Sequence, residues 1–106
     1  YGKCAVPYEA IKLYSSSHPT LPASTIIKIW SSLNIKHIPH LIESEQDFER
    51  RGLNTKDAKF RDKAKKLTIN DETVYISNQF NPGRIKEFIQ KVNAQDWGIN
   101  IEEIDQ

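Results

Sequence analysis

The stretch RRGLNTKDAKFRDKAKKLTINDETVYIS, residues 50–77, carries both the fold signal and the charge signal of this chain. Its first half is basic: eight Lys and Arg (Arg50, Arg51, Lys56, Lys59, Arg61, Lys63, Lys65, Lys66) stand against two acids, Asp57 and Asp62, between positions 50 and 66. Its second half, KLTINDETVYIS, alternates apolar and polar residues around a central polar pair, the pattern of two strands joined by a turn. A two-residue Asn70-Asp71 turn pairs Ile69 with Glu72, whereas a four-residue loop of residues 70–73 pairs Ile69 with Val74 and Leu67 with Ile76. The apolar matching favours the longer loop. In the basic half, Thr55 opens a helix in which Phe60, Ala64 and Leu67 fall at i, i+4, i+7 as a core stripe. Lys56, Lys59, Lys63 and Lys66 then share another face.

Upstream, Ser44 caps a brief helix from Glu45 to Arg51, with acids in its first turn, arginines in its last, and Gly52-Leu53 as a stop. In KHIPHLIES, residues 36–44, Pro39 cannot donate to a ladder, so Ile38, His40 and Ile42 read as one face of a short edge strand. Before it, a helix of residues 22–33 places Ala23, Ile26, Ile27, Trp30 and Leu33 on one side, and Asn34-Ile35 suits a left-handed stop. Pro7 begins a first helix with Tyr8, Ala10, Ile11, Leu13 and Tyr14 on its apolar face, broken by SSSHPT at residues 15–20. Downstream, Asn81-Pro82-Gly83 initiates a helix that buries Ile85, Phe88, Ile89 and Val92, and Gly98 separates it from a final strand, Ile99 to Ile104.

Composition agrees with one folded unit. The 106 residues are 38% hydrophobic and 27% charged, enough to bury a core as a single domain over 1–106 without staples. The longest uncharged stretch, Leu13 to Ile27, is interrupted by Ser-His-Pro and too short to span a bilayer, so no membrane partner is expected. One cysteine, Cys4, cannot bridge internally, which points to a reducing, cytoplasmic setting. The chain starts at Tyr1 and holds no methionine, so the expectation is a piece of a larger protein, bacterial or phage-type.

From residue 22 the order is helix, short strand, short helix, tight turn, basic helix, hairpin. That order resembles the winged-helix architecture over about residues 22–77, with a C-terminal helix-strand addition, inside an overall α+β fold. The bulky Phe48, four residues before Gly52, departs from the small residue that close helix contact favours there. The resemblance implies that the second helix of the pair meets duplex DNA and that a wing touches the flanking backbone.

Charge points the same way. Segment 50–66 carries a net +6 and the other 89 residues −5, with acids gathered at the C-terminal end (Asp96, Glu102, Glu103, Asp105). Lys56, Lys59, Lys63 and Lys66 are expected to approach phosphates, and Arg50, Arg51 and Arg61 to offer bidentate base contacts. Asn54 and Thr55 read as turn and cap. Arg84, beside the amides at Gly83, offers a second anion contact. Tyr75 and Phe80, if exposed, would stack on unpaired bases and favour RNA or single strands.

Other chemistries lack a pattern. His37, His40 and Glu43 are spaced by three, but Pro39 prevents the helix that would converge them, so no metal or cofactor is expected. No hydroxyl, thiol or paired carboxylate shows a cleft or adjacent base, so no catalytic residue is assigned. The expectation is therefore a DNA-binding module, with nucleic acid and other domains of the parent chain as partners. A scaffold domain for an acidic protein comes second, and part of a nuclease third.

Overall fold

Trp30 sits fully buried at the centre of the molecule, between rings from three segments: Phe88 at 5.9 Å, Tyr14 at 5.6 Å and Trp97 at 4.8 Å between centroids. The computed structural model describes residues 6–36 and 38–97. Around that aromatic centre pack α1 (Val6–Ser17), α2 (Ala23–Ser31) and α4 (Pro82–Asn93), on one face of a three-stranded antiparallel sheet. The strands are β1 (Ile42–Ser44), β2 (Ala64–Ile69) and β3 (Glu72–Ser77), in the order β1-β3-β2. A fourth helix, α3 (Glu45–Leu53), leaves directly from β1. The fold is α+β, and no helix among the described residues is long and apolar enough to cross a membrane.

The local signals act as their chemistry requires. Ser44 accepts the Asp47 N–H at 3.2 Å at the start of α3, and Asn81 accepts the Arg84 N–H at 2.9 Å at the start of α4, with Pro82 in the first turn. Asn34 takes φ 57° after α2, the left-handed stop read from its sequence. Its carbonyl and that of Leu33 then accept Lys91 Nζ at 3.0 and 3.1 Å, tying α4 to this corner.

Two readings of residues 50–77 need correction. The basic helix over Thr55–Leu67 does not form. Instead the chain makes turns to Lys59, one 3-10 turn at Phe60–Lys63, and enters β2 at Ala64. The competitor is local: Thr55 Oγ1 accepts the Asp57 N–H at 3.2 Å, and the Asp57 carboxylate accepts the Lys59 N–H at 2.9 Å. Such short side-chain-to-backbone bonds offer the amides an alternative to the helical ladder. At the far end, Ala64, Lys65 and Lys66 are taken by the ladder opposite Ser77, Ile76 and Tyr75. Phe60, Ala64 and Leu67 therefore do not form one stripe.

The hairpin turn is the shorter one. Ile69 pairs with Glu72, and Asn70 and Asp71 adopt φ 48° and 67°. Both values are positive, as a type I′ turn requires, and its twist matches that of the strands. The four-residue loop would have given up that match and two rungs of ladder. Because the two registers differ by two residues, Leu67, Ile69, Val74 and Ile76 face the core in either. The Asn70 amide donates to the Leu21 carbonyl, docking the turn on the α1–α2 connection. The expected strand Ile99–Ile104, with Cys4 and His37, lies outside the described residues.

Glu87 on α4 accepts the Lys36 N–H at 3.2 Å, Arg84 Nη1 at 3.3 Å and the Lys91 ammonium at 3.3 Å. The Lys36 amide, then the Lys91 and Arg84 side chains, hold its carboxyl below the ordinary glutamate range. The unfolded chain thus takes up a proton before the folded one, so this stabilisation is complete above roughly pH 4.3 and drains away as pH falls through the depressed folded value. Urea unfolding at stepped pH should show a shallower acid decline in Glu87→Gln than in the parent. Identical declines would show that this carboxylate contributes nothing.

Candidate nucleic-acid interface

The face of the sheet turned away from Trp30 carries Glu43 and Tyr75, which are register partners on β1 and β3. Helix α3 covers it through Phe48, 1% exposed, whose ring lies parallel to Tyr75 at 4.0 Å and stacks on Phe60 at 4.6 Å. Phe48 is therefore no obstacle to close packing; it is the residue by which α3 is seated. Gly52 lies within α3 and is not its stop: a Cβ there would meet the Phe60 ring at 3.0 Å, so the absent side chain makes room for that ring.

Arg51 closes this small second core. Its Nε donates to both Glu43 oxygens at 3.1 and 3.0 Å, its Nη2 completes a bidentate pair, and its guanidinium carbon lies 5.0 Å from the Phe60 centroid. Glu43 is the one polar or charged side chain buried among the described residues, at 8% exposure. A carboxylate so placed needs this partner, because burial takes away the hydrogen bonds that water would give it.

The remaining candidate cations sort into three groups. Arg50 pairs with Asp47 at 3.3 Å, Arg61 with Glu49 at 2.7 Å, Lys63 with Asp57, and Arg84 with Glu87 at 3.3 Å. The Lys63 ammonium, followed by the Lys59 amide, holds the Asp57 carboxyl below its usual range, and Glu49 holds the Arg61 guanidinium still more firmly protonated than usual. Lys65 lies over the Tyr8 ring at 4.4 Å. Lys56, Lys59 and Lys66 are exposed, and no acid among the described residues lies within ion-pair distance of them.

A cleft of about 300 Å³ has a polar lining that includes His40, Arg51, Thr55, Lys63, Ser77 and Gln79 over a floor of Phe48 and Phe60. Lys56 stands between the lining residues Thr55 and Asp57, and Lys59 precedes Phe60. The lysine stripe of a helix is thus replaced by lysines spread along a loop and the first rungs of β2. The aromatic platform is absent: Phe80 is 6% exposed in the core, and Tyr75 is half-buried beneath Phe48. Among the described residues no three His, Cys, Asp or Glu side chains converge to hold a metal.

Glu43 and Asp57 were not singled out from the sequence as partners of the arginine and lysine they neutralise. A signal for Asp57 existed in Thr55-Lys56-Asp57, a hydroxyl two residues before a carboxylate, which is turn chemistry. No family model, curated protein or solved structure matches the chain.

The two neighbouring arginines should behave differently. Arg51→Ala strands a buried carboxylate, and with the guanidinium half exposed the loss should be about 2–3 kcal/mol in chemical denaturation. Arg50→Ala removes an exposed pair and should cost no more than about 0.5 kcal/mol. Equal effects would mean that Glu43 does not depend on Arg51.

Proposed function

We propose that this domain is a non-enzymatic nucleic-acid-binding module, gripping duplex DNA by its phosphates through the loop after α3 and the start of β2. The observation that carries the reading is the charge sorting: within the most basic segment of the chain, Lys56, Lys59 and Lys66 are exposed with no acid in ion-pair range among the described residues. Long flexible ammonium groups of that kind neutralise phosphates and release counterions without choosing a sequence. Lys63 adds a fourth contact when a phosphate oxygen takes the place of the Asp57 carboxylate.

The sheet order β1-β3-β2 with a helix before and after β1 supports a winged-helix-like reading of residues 22–77, minus its recognition helix. The wing tip has the wrong charge for a phosphate, since it carries Asp71 and Glu72 and is docked on Leu21. Arg51 is committed to Glu43, and Arg50, Arg61 and Arg84 each have an acid, so base readout is weak in this reading. With Tyr75 covered by Phe48 and Phe80 in the core, neither ring is open to receive a base, which favours duplex over single strands.

Three to four phosphate contacts give log K against log salt a slope of about −3 to −4. Replacing Lys56, Lys59 and Lys66 together by Ala should flatten the slope by about 3 and leave the melting temperature nearly unchanged, as measured by anisotropy with a labelled duplex across a salt series. Unaltered binding in that variant removes the basis of the proposal, and metal-dependent cleavage of the duplex would replace it with a nuclease.

A further inference from the structure

A groove of about 870 Å³ lies between the start of α2, the outer side of α3 and the hairpin turn. Its accessible apolar surface comes from Ile27 of α2 and Leu53 of α3, with the buried Ala23 and Val74 beneath. Leu53 is 87% exposed, the most exposed large hydrophobic side chain among the described residues. Single exposed leucines are ordinary. This one stands beside the half-buried Ile27 in a concavity of the size that receives ligand side chains.

The rim is acidic. Glu45 opens α3, and Asp71 and Glu72 sit on the hairpin turn; all three are exposed, and none has a cation within ion-pair distance among the described residues. Glu49 and Arg50 also line the groove but are neutralised by Arg61 and Asp47. The free charge of the groove is therefore −3, against an apolar floor.

We propose that this groove docks a cationic amphipathic segment of a partner protein, a large aliphatic side chain seated between Leu53 and Ile27 and Lys or Arg side chains meeting Glu45, Asp71 and Glu72. Charge complementarity selects the occupant: nucleic acid is repelled by this rim, and an acidic peptide likewise. Apolar anchor and flanking cations are the combination by which a short helix lies in a groove. The surface uses none of the lysines assigned to phosphate, so the two readings stand or fall separately.

The probe is a fluorescein-labelled 14-residue peptide with Leu on one helical face and Lys on the other, titrated by anisotropy with the full chain. Two control peptides replace Leu by Ser or Lys by Glu. The Leu/Lys peptide should bind best. Leu53→Ser should weaken it about tenfold, as should the combined neutralisation Glu45→Gln, Asp71→Asn and Glu72→Gln. The Lys56, Lys59, Lys66 to Ala variant should bind it unchanged. These substitutions lie on exposed side chains, and an unaltered circular dichroism melt verifies the fold. Equal binding of the Leu/Lys and Ser/Lys peptides, indifference to Leu53→Ser, or concentration-dependent self-association that Leu53→Ser abolishes would each overturn the proposal, the last by making a second copy the occupant.

Discussion

A buried carboxylate facing one arginine organises the outer half of this molecule. Glu43 lies on a three-residue edge strand, opposite Tyr75, and its buried oxygens take hydrogen bonds from Arg51. Arg51 reaches it only if α3 lies across the sheet, and α3 lies there because Phe48 stacks on Tyr75. Phe60 then closes over Phe48 and Arg51, which requires the chain to turn back immediately after α3. That requirement leaves no length for a further long helix. The absence of the expected basic helix is thus a consequence of the cluster around Glu43 as well as of the Thr55 and Asp57 turns.

The helix ends and the buried stripes of α2 and α4 were readable from residue types alone. Asn34, Ser44, Asn81 and Pro82 each have one strong local preference, and each adopts it. The apolar spacing of α2 and α4 identifies Ile26, Trp30, Phe88 and Val92, all fully buried, because a helix with one apolar stripe has one way to hide it. Residues 56–66 satisfy two periods at once. Lysines are compatible with a helix face and equally with an exposed loop or edge strand, and nothing in their spacing distinguishes these. The choice was made by Asp57 locally and by Tyr75–Ser77 across the ladder, a partner far along the chain. The hairpin register is a related case: both registers bury the same four residues, so apolar matching is neutral between them and the turn chemistry decides.

A charge count along the sequence leaves out the partners that fold against it. The net +6 of residues 50–66 falls once Glu43, Asp47 and Glu49, which lie just upstream, take three of the arginines. Arginine's planar fork suits such structural pairs, while lysine's flexible stem leaves its charge in water. The side chains best placed for a polyanion are accordingly the lysines, and the arginines named for base contacts serve the fold. The molecule remains an electrical dipole, with free ammonium groups along the loop after α3 and free carboxylates around the groove at the hairpin turn.

The most direct test of this charge sorting is a two-dimensional amide NMR titration of the full chain with an unlabelled duplex of arbitrary sequence at low salt. The account predicts shift changes confined to residues 55–66, strongest around Lys56, Lys59 and Lys66, with the Asp71 and Glu72 amides unmoved. Changes centred on the hairpin turn and Leu53, or none anywhere in residues 55–66, would contradict it.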